Sequence, residues 1–124
     1  AALETQVWDQ DLGWVAEYLR GLLAAEPDST EIYVAEAAGE IVSAAWVTFR
    51  PGTDFAMLLG GSTLAPWRGK GVYRALVALR AARATARGAT YVLVEASPDS
   101  APILARLGFT AVTTTTPYVW TPAR

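Results

Sequence analysis

Thr63-Leu64-Ala65-Pro66-Trp67-Arg68-Gly69-Lys70-Gly71-Val72-Tyr73-Arg74-Ala75-Leu76 decides the fold. An apolar strand runs out at Thr63 and Leu64, a turn of glycines and basic residues follows, and a helix begins near Val72. The first N–H groups of a helix have no intrahelical acceptor and sit at the positive end of its dipole, so an anion placed there is stabilised by backbone alone. Gly69 and Gly71 remove the β-carbons that would keep a pyrophosphate from those N–H groups, and Arg68 and Lys70 add positive charge. A solvated turn that merely starts a helix would contain the same residue types, so the surrounding sequence has to discriminate.

Upstream, the apolar residues Trp8, Leu12, Val15, Leu19, Leu22 and Leu23 recur at three-to-four spacing and predict one helix, or two short ones, over Trp8–Ala25. Gly13 is a plausible break within it, and Pro27 ends it. Ile32–Ala37 and Ile41–Phe49 read as strands joined by a tight turn at Ala38-Gly39. Phe55–Thr63 reads as a third strand whose unbroken apolar run predicts burial on both faces. Gly60-Gly61 inside it points to a bulge or to the close approach of another group.

Downstream, a helix over Gly71–Arg87 places Val72, Ala75, Leu76, Leu79, Ala82 and Ala86 on one face. Arg80, Arg83 and Arg87 along its flank read as solvated surface charges. Tyr91–Glu95 is the next strand and, reached through a helix, is expected to lie parallel to Phe55–Thr63 in a right-handed crossover. A loop from Ser97 leads into a short helix with Ile103, Leu104 and Leu107, closed by Gly108. Phe109–Thr115 and Tyr118–Thr121 read as two final strands that would close the sheet with an antiparallel edge.

The chain has 124 residues, five of them tryptophan, and contains neither cysteine nor histidine. That length suits a single domain over 1–124 that needs no metal or disulfide to fold. Absence of cysteine removes disulfides, thiol catalysis and thiolate metal sites, and absence of histidine removes the usual general base and the commonest metal ligand. No metal site is therefore expected. A net charge of −2 argues against nucleic acid as the main partner. No segment has the apolar length of a membrane span, and the expectation is a cytoplasmic protein.

Two common phosphate loops fail on this stretch. A Walker A loop would need glycine at Leu64 and a hydroxyl at Gly71, and a dinucleotide fingerprint would need glycine at Arg74. A third pattern fits: Arg/Gln-x-x-Gly-x-Gly/Ala, with Arg68, Gly71 and Tyr73 at the marked positions and Tyr73 replacing the usual small residue. A second signature follows in order, a strand ending at Glu95 and then Arg106-Leu107-Gly108-Phe109. On these two motifs the chain resembles the GNAT superfamily of N-acetyltransferases.

The resemblance implies an α/β (α+β) fold with a mixed central sheet flanked by helices, in which a parallel strand pair splays apart to admit acetyl-coenzyme A. Its pantetheine arm would lie like an extra strand between Ser62–Leu64 and Glu95–Ser97. Thr63, Leu64, Arg68, Gly69, Lys70, Gly71, Val72, Tyr73 and Ser97 are the implied cofactor-binding residues, with the pyrophosphate on the N–H groups of Gly69–Tyr73. The implied activity is acetyl transfer to a primary amine, on a small molecule or peptide, by direct attack in a ternary complex.

The catalytic pattern departs from the family's usual one. The tyrosine that often donates a proton to the departing thiolate is replaced by Leu104, the common asparagine by Ser97, and Phe55–Leu64 contains no acid. Glu95 and Tyr118 remain as catalytic candidates, and Asp9, Asp11 and Trp14 as acceptor-binding candidates. A non-catalytic acyl-coenzyme A-binding or regulatory domain is the alternative. The family's first strand has no counterpart in this sequence, so the chain reads as the C-terminal part of a longer one, or as a protomer whose strand comes from an upstream domain or a second copy.

Overall fold

The computed structural model describes residues 14–123, with side chains from Ala16. The elements are α1 (Trp14–Ala25), β1 (Thr30–Ala37), β2 (Glu40–Phe49), β3 (Phe55–Thr63), a 3-10 turn (Ala65–Trp67), α2 (Val72–Ala86), β4 (Tyr91–Val94) and α3 (Ala101–Arg106). They fall into two compact units that divide between Val94 and Glu95. None of the described helices is long and apolar enough to cross a membrane.

The first unit holds a four-stranded mixed sheet in the order β1-β2-β3-β4. β1, β2 and β3 form an antiparallel meander, and β4 returns through α2 to lie parallel to β3. The first hairpin closes through Ala38 and Gly39, both left-handed at φ 52° and 80°. Two positive φ angles in a two-residue loop match the twist of the flanking strands, and glycine takes the second position without strain.

β2 is the sheet's centre, with Val42–Val47 continuously buried. Glu31, Val47, Leu58 and Val94 stand side by side across the four strands, so their side chains share one face. That face receives α2, since Arg83 of α2 reaches Glu31. The core beneath α2 contains Ala45, Val47, Ala56 and Leu58 from the sheet and Leu76, Val77 and Ala84 from the helix.

The buried stripe of α2 differs from the predicted face. It runs through Leu76, Val77, Arg80 and Ala84, while Leu79 is exposed. The prediction put all three arginines in solvent and thereby turned the helix about its axis. Arg80 is instead only 1% exposed.

The other two arginines are engaged as well. Arg83 donates from Nε and Nη2 to the two carboxylate oxygens of Glu31, at 3.0 and 2.9 Å. Tyr33 donates its hydroxyl to the same carboxylate. Arg87 stacks on Phe49, 3.8 Å from the ring centroid, and donates to the Asp28 carbonyl. The far end of α2 is thus pinned to β1 and β2 through side chains.

In the second unit, Ser97 and Ser100 exchange hydrogen bonds ahead of α3: the Ser97 N–H donates to Ser100 Oγ, and the Ser100 N–H to Ser97 Oγ. Leu104 is the buried residue of that helix. The two strands expected over Phe109–Thr115 and Tyr118–Thr121 are not formed; residues 109–123 carry no regular element. β-branched runs such as Thr113–Thr116 favour a strand only where a neighbour pairs with them.

The carboxylate of Glu31 is lowered from 4.5 to about 2, first by the hydrogen bonds from Arg83 and then by that from Tyr33. A depressed carboxylate contributes stability above its unfolded value and loses it as pH falls through the folded one. Glu31→Gln is therefore expected to lower the unfolding midpoint at neutral pH, with the difference from wild type shrinking between pH 4.5 and about 2. Thermal unfolding of both proteins across that range checks this, and a difference independent of pH would contradict it.

Candidate functional site

The parallel ladder between β3 and β4 starts at Phe55↔Tyr91 and stops at Leu58↔Val94, whereas β3 continues to Thr63. From Leu59 onward, β3 is paired with β2 on one side and with no described strand on the other. This leaves an open edge of main-chain donors and acceptors at the sheet's interior, where an extended ligand can pair.

The edge begins at a bulge. β2 and β3 pair as Trp46↔Leu59 and next as Ala44↔Ser62, so Gly60 and Gly61 together stand opposite Ala45. Gly60 is left-handed at φ 70°, the conformation for which such bulges select glycine. A β-carbon there would lie 1.9 Å from Cζ3 of Trp46, and one on Gly61 would lie 2.7 Å from Cε1 of Tyr73. The glycine pair thus answers to both sequence readings, a bulge and a close approach, and the approaching groups are two aromatic rings of the chain itself.

Beyond the bulge, β3 is locked to β2 by hydroxyls. Ser43 Oγ donates to the Ser62 carbonyl at 2.8 Å and lies 2.9 Å from Thr63 Oγ1. Since a serine hydroxyl has one proton, Thr63 is the donor in the second bond. Thr63 therefore presents main chain to the open edge, while its hydroxyl is held in the sheet.

The turn then wraps onto the strand end. The Leu64 N–H donates to the Val42 carbonyl at 2.9 Å, and Arg68 Nε to the Thr63 carbonyl at 3.0 Å. Lys70 Nζ sits 5.0 Å from the Trp67 ring centroid. Gly69 and Gly71 are left-handed, at φ 74° and 83°, and a β-carbon on either would meet nothing within 4 Å. The Ala75 N–H donates to the Gly71 carbonyl, so the N–H groups of Val72, Tyr73 and Arg74 precede the first such bond of α2. The first turn contains no acid and the cap no side-chain hydrogen bond. The result is an exposed turn with helix-start N–H groups that precede the first intrahelical bond and with cations nearby, which fits a phosphate.

The remaining candidates are placed differently. Glu95 is exposed immediately after β4, Ser97 has its hydroxyl in the turn before α3, and Tyr118 is 91% exposed. Asp9 and Asp11 lie outside the described residues, as does the side chain of Trp14. Among the described residues no group of acids could hold a metal ion.

Sequence reasoning missed two residues at the bulge. Arg80 donates from Nη1 to the carbonyls of Trp46 and Leu59, at 3.0 and 3.2 Å, and from Nε to that of Leu76 at 3.0 Å. Burial pushes its guanidinium pKa down, though arginine stays charged in proteins. Trp46 is 8% exposed, and its Nε1 is the buried side-chain polar atom with no partner among the described residues. The available signal for Arg80 was its spacing, four residues after Leu76 and four before Ala84, on the stripe those residues define.

A parallel ladder that stops beside a bulged strand, followed by a glycine turn and a helix start, leaves main-chain groups open to an extended anionic ligand. The model of the acetyltransferase (GNAT) family matches residues 2–109, and the chain belongs to that family. No curated protein is a significant sequence match. Among solved structures, a transcriptional regulator from Bacillus halodurans C-125 is 23% identical at a TM-score of 0.76, covering 96% of this chain and 91% of that one. The aminoglycoside 6'-N-acetyltransferase AAC(6')-IG from Acinetobacter haemolyticus is 17% identical at a TM-score of 0.74, covering 98% and 90%. AAC(6')-Iy, in complex with the bisubstrate analogue CoA-S-monomethyl-acetylneamine, is 22% identical at 0.74, covering 98% and 88%. At these identities the likeness concerns the fold.

The two kinds of glycine are expected to respond differently to a methyl group. Gly60→Ala combines left-handed strain with a clash and should cost about 3 kcal/mol or more. Gly69→Ala meets open space and should cost about 1 kcal/mol. Denaturant unfolding compares them, and equal losses would contradict the clash at Trp46.

Proposed function

We propose that this chain transfers an acetyl group from acetyl-coenzyme A to a primary amine of a small molecule or peptide, by direct attack within a ternary complex. The open edge of β3 beyond Leu58, followed after the 3-10 turn at Ala65–Trp67 by the Gly69–Gly71 turn, carries the proposal. Along Ser62–Leu64 the Thr63 N–H is the group assigned to the pantetheine arm, since the Leu64 N–H and the Thr63 carbonyl are bonded to Val42 and Arg68. The N–H groups of Gly69–Tyr73 hold the pyrophosphate, with Lys70 and the outer guanidinium nitrogens of Arg68 adding charge. When bound, the thioester supplies an activated acetyl group.

The chain's own contribution is to hold and orient. Fixing an amine beside an acyl carbon removes an entropic barrier that reaches about 7–11 kcal/mol in the best-oriented reactions. Glu95, the residue after the last β4 pair, is the carboxylate assigned to take the proton from the attacking amine, through water. Tyr118 is assigned as the polar group for the departing thiolate. Ser97 is assigned to the pantetheine arm, although its hydroxyl and its carbonyl both also bond within the turn before α3. Asp9, Asp11 and Trp14 are assigned to the acceptor.

A second reading, a coenzyme A-binding domain without chemistry, draws on one observation: β3 holds no acid from Phe55 to Thr63. Release of thiol from acetyl-coenzyme A against a panel of primary amines separates the two. Turnover lowered at least tenfold by Glu95→Gln supports the enzyme, and absence of turnover with every amine supports the binding domain.

Titration calorimetry tests the donor site directly. Wild type is expected to bind acetyl-coenzyme A, and Gly71→Glu to lose binding at least a hundredfold, because a carboxylate then occupies the phosphate cradle. Unchanged affinity in Gly71→Glu would reject the loop assignment, and no heat from wild type at millimolar ligand would reject the proposal.

A further inference from the structure

We infer that Arg80 is a positioning residue for the acyl-donor edge: its buried guanidinium holds the β2–β3 bulge open and so directs the main chain of Gly60–Thr63. This rests on the acetyltransferase reading of that edge. Arg80 touches no reacting group and acts through the strand.

Burying a guanidinium without a carboxylate is costly. Among the described residues Arg80 has no acidic partner, and its recorded acceptors are three main-chain carbonyls, those of Leu76, Trp46 and Leu59. The last two belong to the register pair directly before the bulge. A single nitrogen, Nη1, bridges them and so ties β2 to β3 at the residue where the regular ladder ends. Nε fixes the same side chain to α2 through the Leu76 carbonyl. One planar group therefore joins three elements at one point, which a smaller or apolar side chain cannot do.

The location gives this joint its purpose. The bond to Leu59 falls where β4 has just departed, since Leu58↔Val94 is the last parallel pair. The opposite face of Gly60 is closed by the Trp46 indole, and Gly61 is covered by the Tyr73 ring from the start of α2. With Arg80 in place, the Leu59 carbonyl is drawn toward α2, and the next residues turn through Gly60 at φ 70° before rejoining β2 at Ser62. Without a donor under those carbonyls, β3 can regain regular pairing with β2, which would rotate the edge groups of Gly60–Thr63.

The test measures coenzyme A affinity by calorimetry in wild type, Arg80→Lys, Arg80→Met and Val77→Ala, each below its own unfolding midpoint. Val77 is a buried apolar residue of α2 that offers the bulge carbonyls no hydrogen bond, so it reports loss of packing stability without loss of that donor. Lysine offers one nitrogen where arginine offers a fork. The expected order is a three- to tenfold loss for Arg80→Lys, more than tenfold for Arg80→Met, and less than threefold for Val77→Ala. If Arg80→Met does not fold, Arg80→Lys decides: at least threefold loss supports the inference and wild-type affinity overturns it. An equal loss in Val77→Ala also overturns it, because affinity then follows stability. Wild type without affinity overturns the acetyltransferase reading and this inference with it, whereas a binding wild type beside an unaffected Arg80 variant overturns the inference alone.

Discussion

At Gly60 the main chain is left-handed beneath an indole ring that leaves no room for a β-carbon. That single steric condition orders much of the first unit. It requires glycine, it places the extra residue of the bulge on β3 rather than on β2, and it shifts the register so that Ser62 and Thr63 meet Ala44 and Ser43. The hydroxyl bonds that secure the strand's end exist only in the shifted register. The Arg68 bond to the Thr63 carbonyl then fixes where the glycine turn begins. A steric exclusion in mid-sheet is thereby carried forward to the start of α2.

α2 is held differently at its two ends. Near its C-terminus, Arg83 and Arg87 reach outward to Glu31, Phe49 and the Asp28 carbonyl, at half-exposed positions where ion pairs are individually weak. In its middle, Arg80 is submerged and, among the described residues, bonded only to carbonyls. A buried carbonyl left without a donor costs about 1–3 kcal/mol, so two of them at a ladder's end call for a donor that apolar packing cannot supply. Three arginines at similar spacing on one helix therefore do three different things, decided by depth and by what lies opposite.

Much of the sheet was legible in the sequence because its determinants are local. Ala38-Gly39 sets a hairpin, Gly60-Gly61 a bulge, and Gly88 and Gly108 terminate helices, each through backbone conformation that neighbouring residues cannot change. The phosphate-type turn was legible for the same reason. Arg80 was not, since its role depends on two carbonyls 34 and 21 residues away in the chain, and an arginine considered alone belongs in water. Phe109–Thr121 misled in the opposite sense: its β-branched and aromatic residues have strand propensity, and propensity without a pairing partner makes no strand. The strand edge and turn that the proposal assigns to the acyl donor are features of main chain, which local sequence specifies; the proposed catalytic residues depend on side-chain neighbours that the sequence does not name.

The short β4 ladder has a consequence for how the sheet opens. β1, β2 and β3 are joined through tight connections, at Ala38-Gly39 and at residues 50–54, whereas β4 meets β3 only after the whole length of α2. Its pairing ends after Leu58↔Val94, and Tyr91 and Leu93 leave one of its faces exposed. Few main-chain bonds and a long closing loop make β4 the strand most readily released by local unfolding. A ligand that adds main-chain bonds along β3 selects against those openings by mass action. Amide exchange rates on β4 would then report occupancy of a neighbouring edge that β4 itself does not form.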